Sequence, residues 1–105
     1  MTFERGAITA TEGTAEVPQA YALAQNYPNP FNPETAIRFD LPQAGAVRLA
    51  VYDVLGREVA LLVDGYLPAG RHEAVFEAAQ LPSGVYVYRM ETAGRTFTRT
   101  MLLLK

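Results

Sequence analysis

The chain has 105 residues, half of them hydrophobic, with a net charge of −2 and no cysteine. That length suits one domain with its own core, and the absence of thiols excludes a disulfide framework and a thiolate zinc site. The basic residues are scattered singly and give no cationic face for nucleic acid, and no apolar run approaches the roughly 20 residues of a transmembrane segment.

Residues 1–18 are rich in Thr, Ala, Glu and Gly without a sustained period, which reads as a flexible linker. The opening MTFERGAITA lacks the charged-then-apolar pattern of a secretion signal. If the chain is exported, it is expected to be a piece of something larger. The domain itself is expected over residues 19–105. AYALAQ (20–25) can supply a short first strand. It leads into QNYPNPFNPET (25–35), which holds three of the seven prolines and all three asparagines. Pro28, Pro30 and Pro33 fix their own φ and drive Tyr27, Asn29 and Asn32 out of the helical region. The segment is therefore stiff, extended and unfit for a central strand. The amides of Asn26, Asn29 and Asn32 are expected to bond nearby backbone in place of a ladder. Tyr27 and Phe31 are expected to anchor the segment on the domain.

Period two governs the remainder. TAIRFDL (35–41) sets Thr35, Ile37, Phe39 and Leu41 against Ala36, Arg38 and Asp40, the pattern of a half-buried strand. In AVRLAVYDV (46–54), Val47, Leu49 and Val51 share a face. REVALLV (57–63) offers Val59, Leu61 and Val63, and Asp64-Gly65 is expected to turn the chain. RHEAVFE (71–77), GVYVYRME (84–91) and RTFTRTMLLL (95–104) complete the strands. Turn chemistry sits at most joints: Pro42 to Gly45, Leu55-Gly56, Pro68 to Gly70, Pro82-Ser83-Gly84 and Ala93-Gly94. Six or seven short antiparallel strands predict an all-β fold, a small immunoglobulin-like β-sandwich. A small barrel is the competitor.

Chemistry is sparse. The chain has one serine, Ser83, in a Pro-Ser-Gly turn, and one histidine, His72, on a strand. Nucleophilic catalysis needs nucleophile, base and orienting group together, so the chain is not expected to be an enzyme. No cofactor is expected, and the glycines form no phosphate-cradling cluster. Asp53 and Asp64 lie at loop ends but belong to no calcium-loop series. An alternative is an adhesion or carbohydrate-binding module with tyrosines as the platform. Tyr52, Tyr86 and Tyr88 fall within strands, where packing also favours such rings.

Four separated blocks carry a resemblance. Tyr27, Pro28, Asn29, Pro30, Phe31, Asn32, Pro33, Thr35 and Ile37 form the first; Val51, Tyr52, Asp53, Leu55, Gly56 and Arg57 the second. Gly84, Val85, Tyr86 and Arg89 form the third, and Met101, Leu102, Leu103, Leu104 and Lys105 the last. In this order and spacing the chain resembles, over residues 23–105, the C-terminal sorting domain of the type IX secretion system, type A. It is similar in style to the flagellar hook-capping immunoglobulin-like domain. Thr100, behind Arg99, stands where the family often has lysine. The resemblance implies an address at the end of a larger protein of Bacteroidetes-like bacteria. The secretion translocon would read it and, on the way from periplasm to cell surface, a sortase would usually cut it off and join the cargo to surface lipopolysaccharide.

The last strand suggests how an address could be read. Phe97, Met101 and Leu103 share one face, while Leu102 and Leu104 face the other way. Such a strand is either buried on both sides or presented to a partner, which can extend an open edge by β-augmentation.

Overall fold

In a computed structural model, which describes residues 17–105, the chain is all-β. The linker expected over residues 1–18 falls, except for Val17 and Pro18, outside the described residues. The strands are β1 (Ala22–Leu23), β2 (Glu34–Leu41), β3 (Gly45–Tyr52), β4 (Glu58–Leu67), β5 (Gly70–Glu77), β6 (Gly84–Thr92) and β7 (Arg95–Leu103). They build a three-stranded sheet, β1-β2-β5, and a four-stranded sheet, β4-β3-β6-β7. All strand pairs are antiparallel.

The alternation read in the sequence puts one face of each sheet into a shared core. Ile37, Phe39 and Leu41 of β2 meet Val47, Leu49 and Val51 of β3, Tyr86, Tyr88 and Met90 of β6, and Met101 and Leu103 of β7. Burying a large apolar side chain contributes about 1.5–3 kcal/mol, so this layer holds the two sheets together. The chain changes sheet after β2, after β4 and after β5. Where it enters β6, the Tyr86 hydroxyl donates to the Pro82 carbonyl at 2.6 Å. A tyrosine bonded back to the preceding corner in this way is a mark of immunoglobulin-like sandwiches. The fold is the seven-stranded sandwich that the period predicts.

The strands depart from expectation in three places. Asp64-Gly65 makes no turn: β4 continues through it, with Asp64 opposite Arg48 and Gly65 opposite Val47. The neighbouring strand still offers ladder partners there, and pairing outweighs the local turn preference. The reversal comes instead between Leu67 and Gly70, at Pro68, which has no N–H to extend a ladder. Second, the β3–β4 register slips twice, between Leu49 and Ala50 and between Val51 and Tyr52. Each bulge adds a residue to β4 and resets which side chains face inward. Leu61 is consequently exposed while Leu62 packs against the core, so Val59, Leu61 and Val63 do not share a face. Third, the strand expected within 20–25 shrinks to Ala22–Leu23, paired with Asp40 and Phe39.

His72 and Ser83 have structural roles. The His72 ring stacks on Phe39 with centroids 5.4 Å apart, and its Nε2 lies 2.8 Å from the Pro68 carbonyl. Ser83 Oγ accepts the Lys105 N–H at 2.9 Å.

The β6–β7 hairpin reverses over Ala93 and Gly94, both at positive φ (53° and 72°). A two-residue hairpin loop asks this of both residues, and alanine accepts it poorly where asparagine does so readily. Ala93→Asn should raise the unfolding free energy by about 0.5–1 kcal/mol, read as a higher urea midpoint at unchanged slope.

Candidate recognition surface

Folding sorts the four blocks into two pairs. The first meets the last along the outer edge of β7; the second meets the third at one end of the four-stranded sheet.

β7 borders the four-stranded sheet, and the proline–asparagine segment lies along its final residues. Phe31 donates its N–H to the Leu102 carbonyl and accepts the Leu104 N–H, both at 3.0 Å. This forms a parallel bridge to the strand end. The Leu102 N–H goes to Asn29 Oδ1 at 3.0 Å, so a side chain supplies the acceptor where proline breaks up the backbone ladder. The Phe31 ring is buried, its centroid 5.9 Å from that of Phe76. Gln25 Nε2 donates to the Thr100 carbonyl at 2.7 Å, and Arg99 Nε donates to the Leu23 carbonyl. Lys105 closes the end by donating its Nζ to the Ala79 carbonyl at 2.6 Å.

The base of this latch is a buried polar knot that sequence reasoning did not place. Asn26 is buried; its Nδ2 donates to the Pro28 carbonyl at 3.1 Å and to Thr35 Oγ1 at 3.0 Å. Thr35 Oγ1 donates to the same Pro28 carbonyl at 2.8 Å. The Tyr88 hydroxyl accepts the Asn26 N–H at 2.8 Å and donates to the Ala24 carbonyl at 2.7 Å. Burial pushes the Tyr88 phenol up from its ordinary pKa. A buried polar group left unbonded costs about 1–3 kcal/mol, and here the groups satisfy one another. The asparagine spacing was the available signal; nothing local pointed to Tyr88.

Tyr27 does not anchor the segment by its ring. Its backbone exchanges hydrogen bonds with Ala36 at 2.9 Å in each direction, and the side chain is 81% exposed. Pro28, Asn29, Pro30, Asn32 and Pro33 are exposed as well. The prolines and Tyr27 thus form a surface ridge, with Asn29 and Phe31 reaching from it to the tail. On the tail, Met101 and Leu103 are buried, Leu102 is half-buried and Leu104 is exposed.

The second pair begins with a turn. Asp53 Oδ1 accepts the N–H groups of Leu55 (2.9 Å) and Arg57 (3.0 Å), and Oδ2 takes Arg57 Nε at 2.7 Å. Gly56, at φ 82°, supplies the left-handed residue that lets the chain return. Hydrogen bonds, that from the Arg57 backbone foremost, hold the Asp53 carboxyl below the usual carboxylate range against the opposing effect of desolvation. Beside the turn, Tyr52 sits between two arginines. Arg89 Nη2 donates to its hydroxyl at 2.8 Å, with the guanidinium carbon 4.6 Å from the ring centre. Arg48 Nη1 reaches the same hydroxyl at 3.2 Å and its Nη2 pairs with Glu58 at 2.6 Å. Arg89 Nε lies 3.2 Å from Glu91 Oε2, close enough to attract but off the axis of its N–H bond. Asp53, Leu55 and Arg57 then line, with Gly84, Val85 and Tyr86, one groove of about 300 Å³. Val54, Leu55 and Val85 are exposed at it.

The tyrosine platform of a sugar-binding module is not formed. Tyr86 and Tyr88 share a face, as period two requires, but that face is the core.

Asp53 gives a pH dependence of definite sign. Its folded pKa is depressed, so its stabilisation is complete above the unfolded pKa and is lost as pH falls through the folded one. Asp53→Asn should be less stable than the parent at pH 7, with the gap closing on acidification below the usual aspartate range. Urea unfolding across that range measures it.

Comparison with known proteins follows the same blocks. A search of the curated proteins finds no match. The family model described as "Secretion system C-terminal sorting domain" matches residues 25–104, from the start of the proline–asparagine segment to the latched tail. The chain belongs to the family of type IX secretion C-terminal sorting domains.

Proposed function

We propose that the secretion machinery reads this domain at the latch, where the first and last blocks form one surface. As a sorting domain it directs export to the cell surface or the extracellular space by the type IX route. In the finer reading, the translocon engages the Tyr27–Pro33 ridge together with the last residues. The domain passes through the periplasm with its parent protein, and a sortase then removes it and joins the parent to surface lipopolysaccharide. The module has no reaction of its own.

One observation supports this above the rest: the Phe31 bridge to Leu102 and Leu104 joins segments about seventy residues apart in sequence. The composite surface exists only in the folded domain, so a receptor that reads it also checks that folding is complete. An unfolded tail presents the same five terminal residues without the ridge.

The test is a secreted reporter fused ahead of the 105 residues, expressed in a host that has the system. Removing residues 101–105 should reduce surface display to background, and Phe31→Ala should reduce it strongly, while Glu73→Gln on β5, in the other sheet, leaves it unchanged. Undiminished display after the deletion contradicts the reading.

A further inference from the structure

The outer face of the three-stranded sheet carries a row that the fold does not use. Tyr27 pairs with Ala36, and Ala36 pairs with Val75, so the three stand side by side across the sheet. Tyr27 is 81% exposed and Val75 56%. Ala36, with a single methyl group, leaves a shallow dip between them. Isolated surface hydrophobes need no explanation, but this row is contiguous because backbone pairing lays it out.

The flanking rows differ in charge. On one side Arg38 and Glu73 neutralise each other at 3.1 Å, and Arg71 lies 4.0 Å from Asp40. On the other side Glu34 stands directly opposite Glu77. Like charges at paired positions repel, and no cation among the described residues forms an ion pair with either. Glu77 Oε2 accepts the Ala79 N–H at 3.1 Å. The face therefore combines an exposed aromatic ring, an aliphatic dip and two carboxylates with no counter-ion among the described residues.

We propose that this row docks a protein segment bearing an arginine or lysine next to an aliphatic side chain. The cation lies between Glu34 and Glu77 against the Tyr27 ring, where carboxylates and the π face both attract it. The aliphatic neighbour covers Ala36 and Val75. Arginine suits the site better than lysine, because its planar fork can meet a carboxylate and stack on a ring together. An anionic partner is repelled. The surface is separate from the latch in its energetics: the backbone bonds between Tyr27 and Ala36 survive loss of the ring, so truncating the side chain leaves the segment in place. The proposal does not depend on the sorting reading.

The probe is the peptide acetyl-Val-Arg-Val-Arg-Val-amide, with acetyl-Val-Gln-Val-Gln-Val-amide as the uncharged control, titrated into the isotope-labelled 105-residue chain by amide NMR. Saturable shifts are expected at Tyr27, Glu34, Ala36, Val75 and Glu77, weakening with added salt and absent with the control. Tyr27→Ala, and separately the double change Glu34→Gln with Glu77→Gln, should each weaken binding by about fivefold or more, while the thermal midpoints show that the variants are folded. Absence of saturable shifts overturns the proposal. So do equal shifts from the uncharged peptide, shifts mapping elsewhere, or binding that survives in both variants. Concentration-dependent shifts of the same residues without peptide would assign the face to a second copy of the chain and overturn it too.

Discussion

Phe31 gives its N–H to the Leu102 carbonyl and takes the N–H of Leu104, and its ring sinks into the core beside Phe76. Phe31 sits just ahead of β2 in the three-stranded sheet, whereas its partners end the border strand of the four-stranded sheet. One residue thus ties the two layers at their open side, and the arrangement around it follows from that tie. Asn29 must stand two residues earlier to meet the Leu102 N–H. Asn26, Thr35 and Tyr88 must fill the buried corner beneath. The terminal strand, the most exposed edge a sandwich could offer for unwanted pairing, is covered at its end by the chain's own backbone.

The prolines acquire a reason from this constraint. A segment lying along a strand edge would ordinarily invite a further strand beside it. Pro28, Pro30 and Pro33 remove N–H donors from that segment, so it can bond inward to β7 and to Ala36 without extending the sheet outward. The second and third blocks play a comparable part at the other pair of strands. The Asp53–Arg57 turn ends β3 cleanly, and Tyr52, held by Arg48 and Arg89, links neighbouring strands on the outer face. These arginine contacts are partly exposed and individually weak; their effect is to fix orientation.

Much of this was legible in the sequence where the signal is local. Alternation in 35–41 and 84–91 is sufficient to place Ile37, Phe39, Tyr86 and Tyr88 on shared faces, and the Asp-Val-Leu-Gly-Arg run states its own turn chemistry. Which face is the core is a global matter, and for Tyr86 and Tyr88 only the pairing of sheets decides it. The bulges that turn Leu61 outward depend on the β3 partner, and so does the ladder that carries β4 through Asp64-Gly65. The proline–asparagine segment shows the same division. Its stiffness follows from residue type, but Asn29 was expected to bond nearby backbone and instead reaches Leu102. Tyr27 was expected to anchor and is exposed, because its backbone already does the anchoring.

The latch requires the proline–asparagine segment and the terminal strand to open and close as one unit. Native-state amide hydrogen exchange at Phe31, Leu102 and Leu104 tests this most directly, since each of these N–H groups is part of the latch or ends on it. Concerted closure predicts that all three exchange with a common opening free energy, close to that of the core amide of Leu49. Exchange of Leu102 and Leu104 at unprotected rates while Phe31 and Leu49 stay protected would show a tail that frays freely, and would contradict the account.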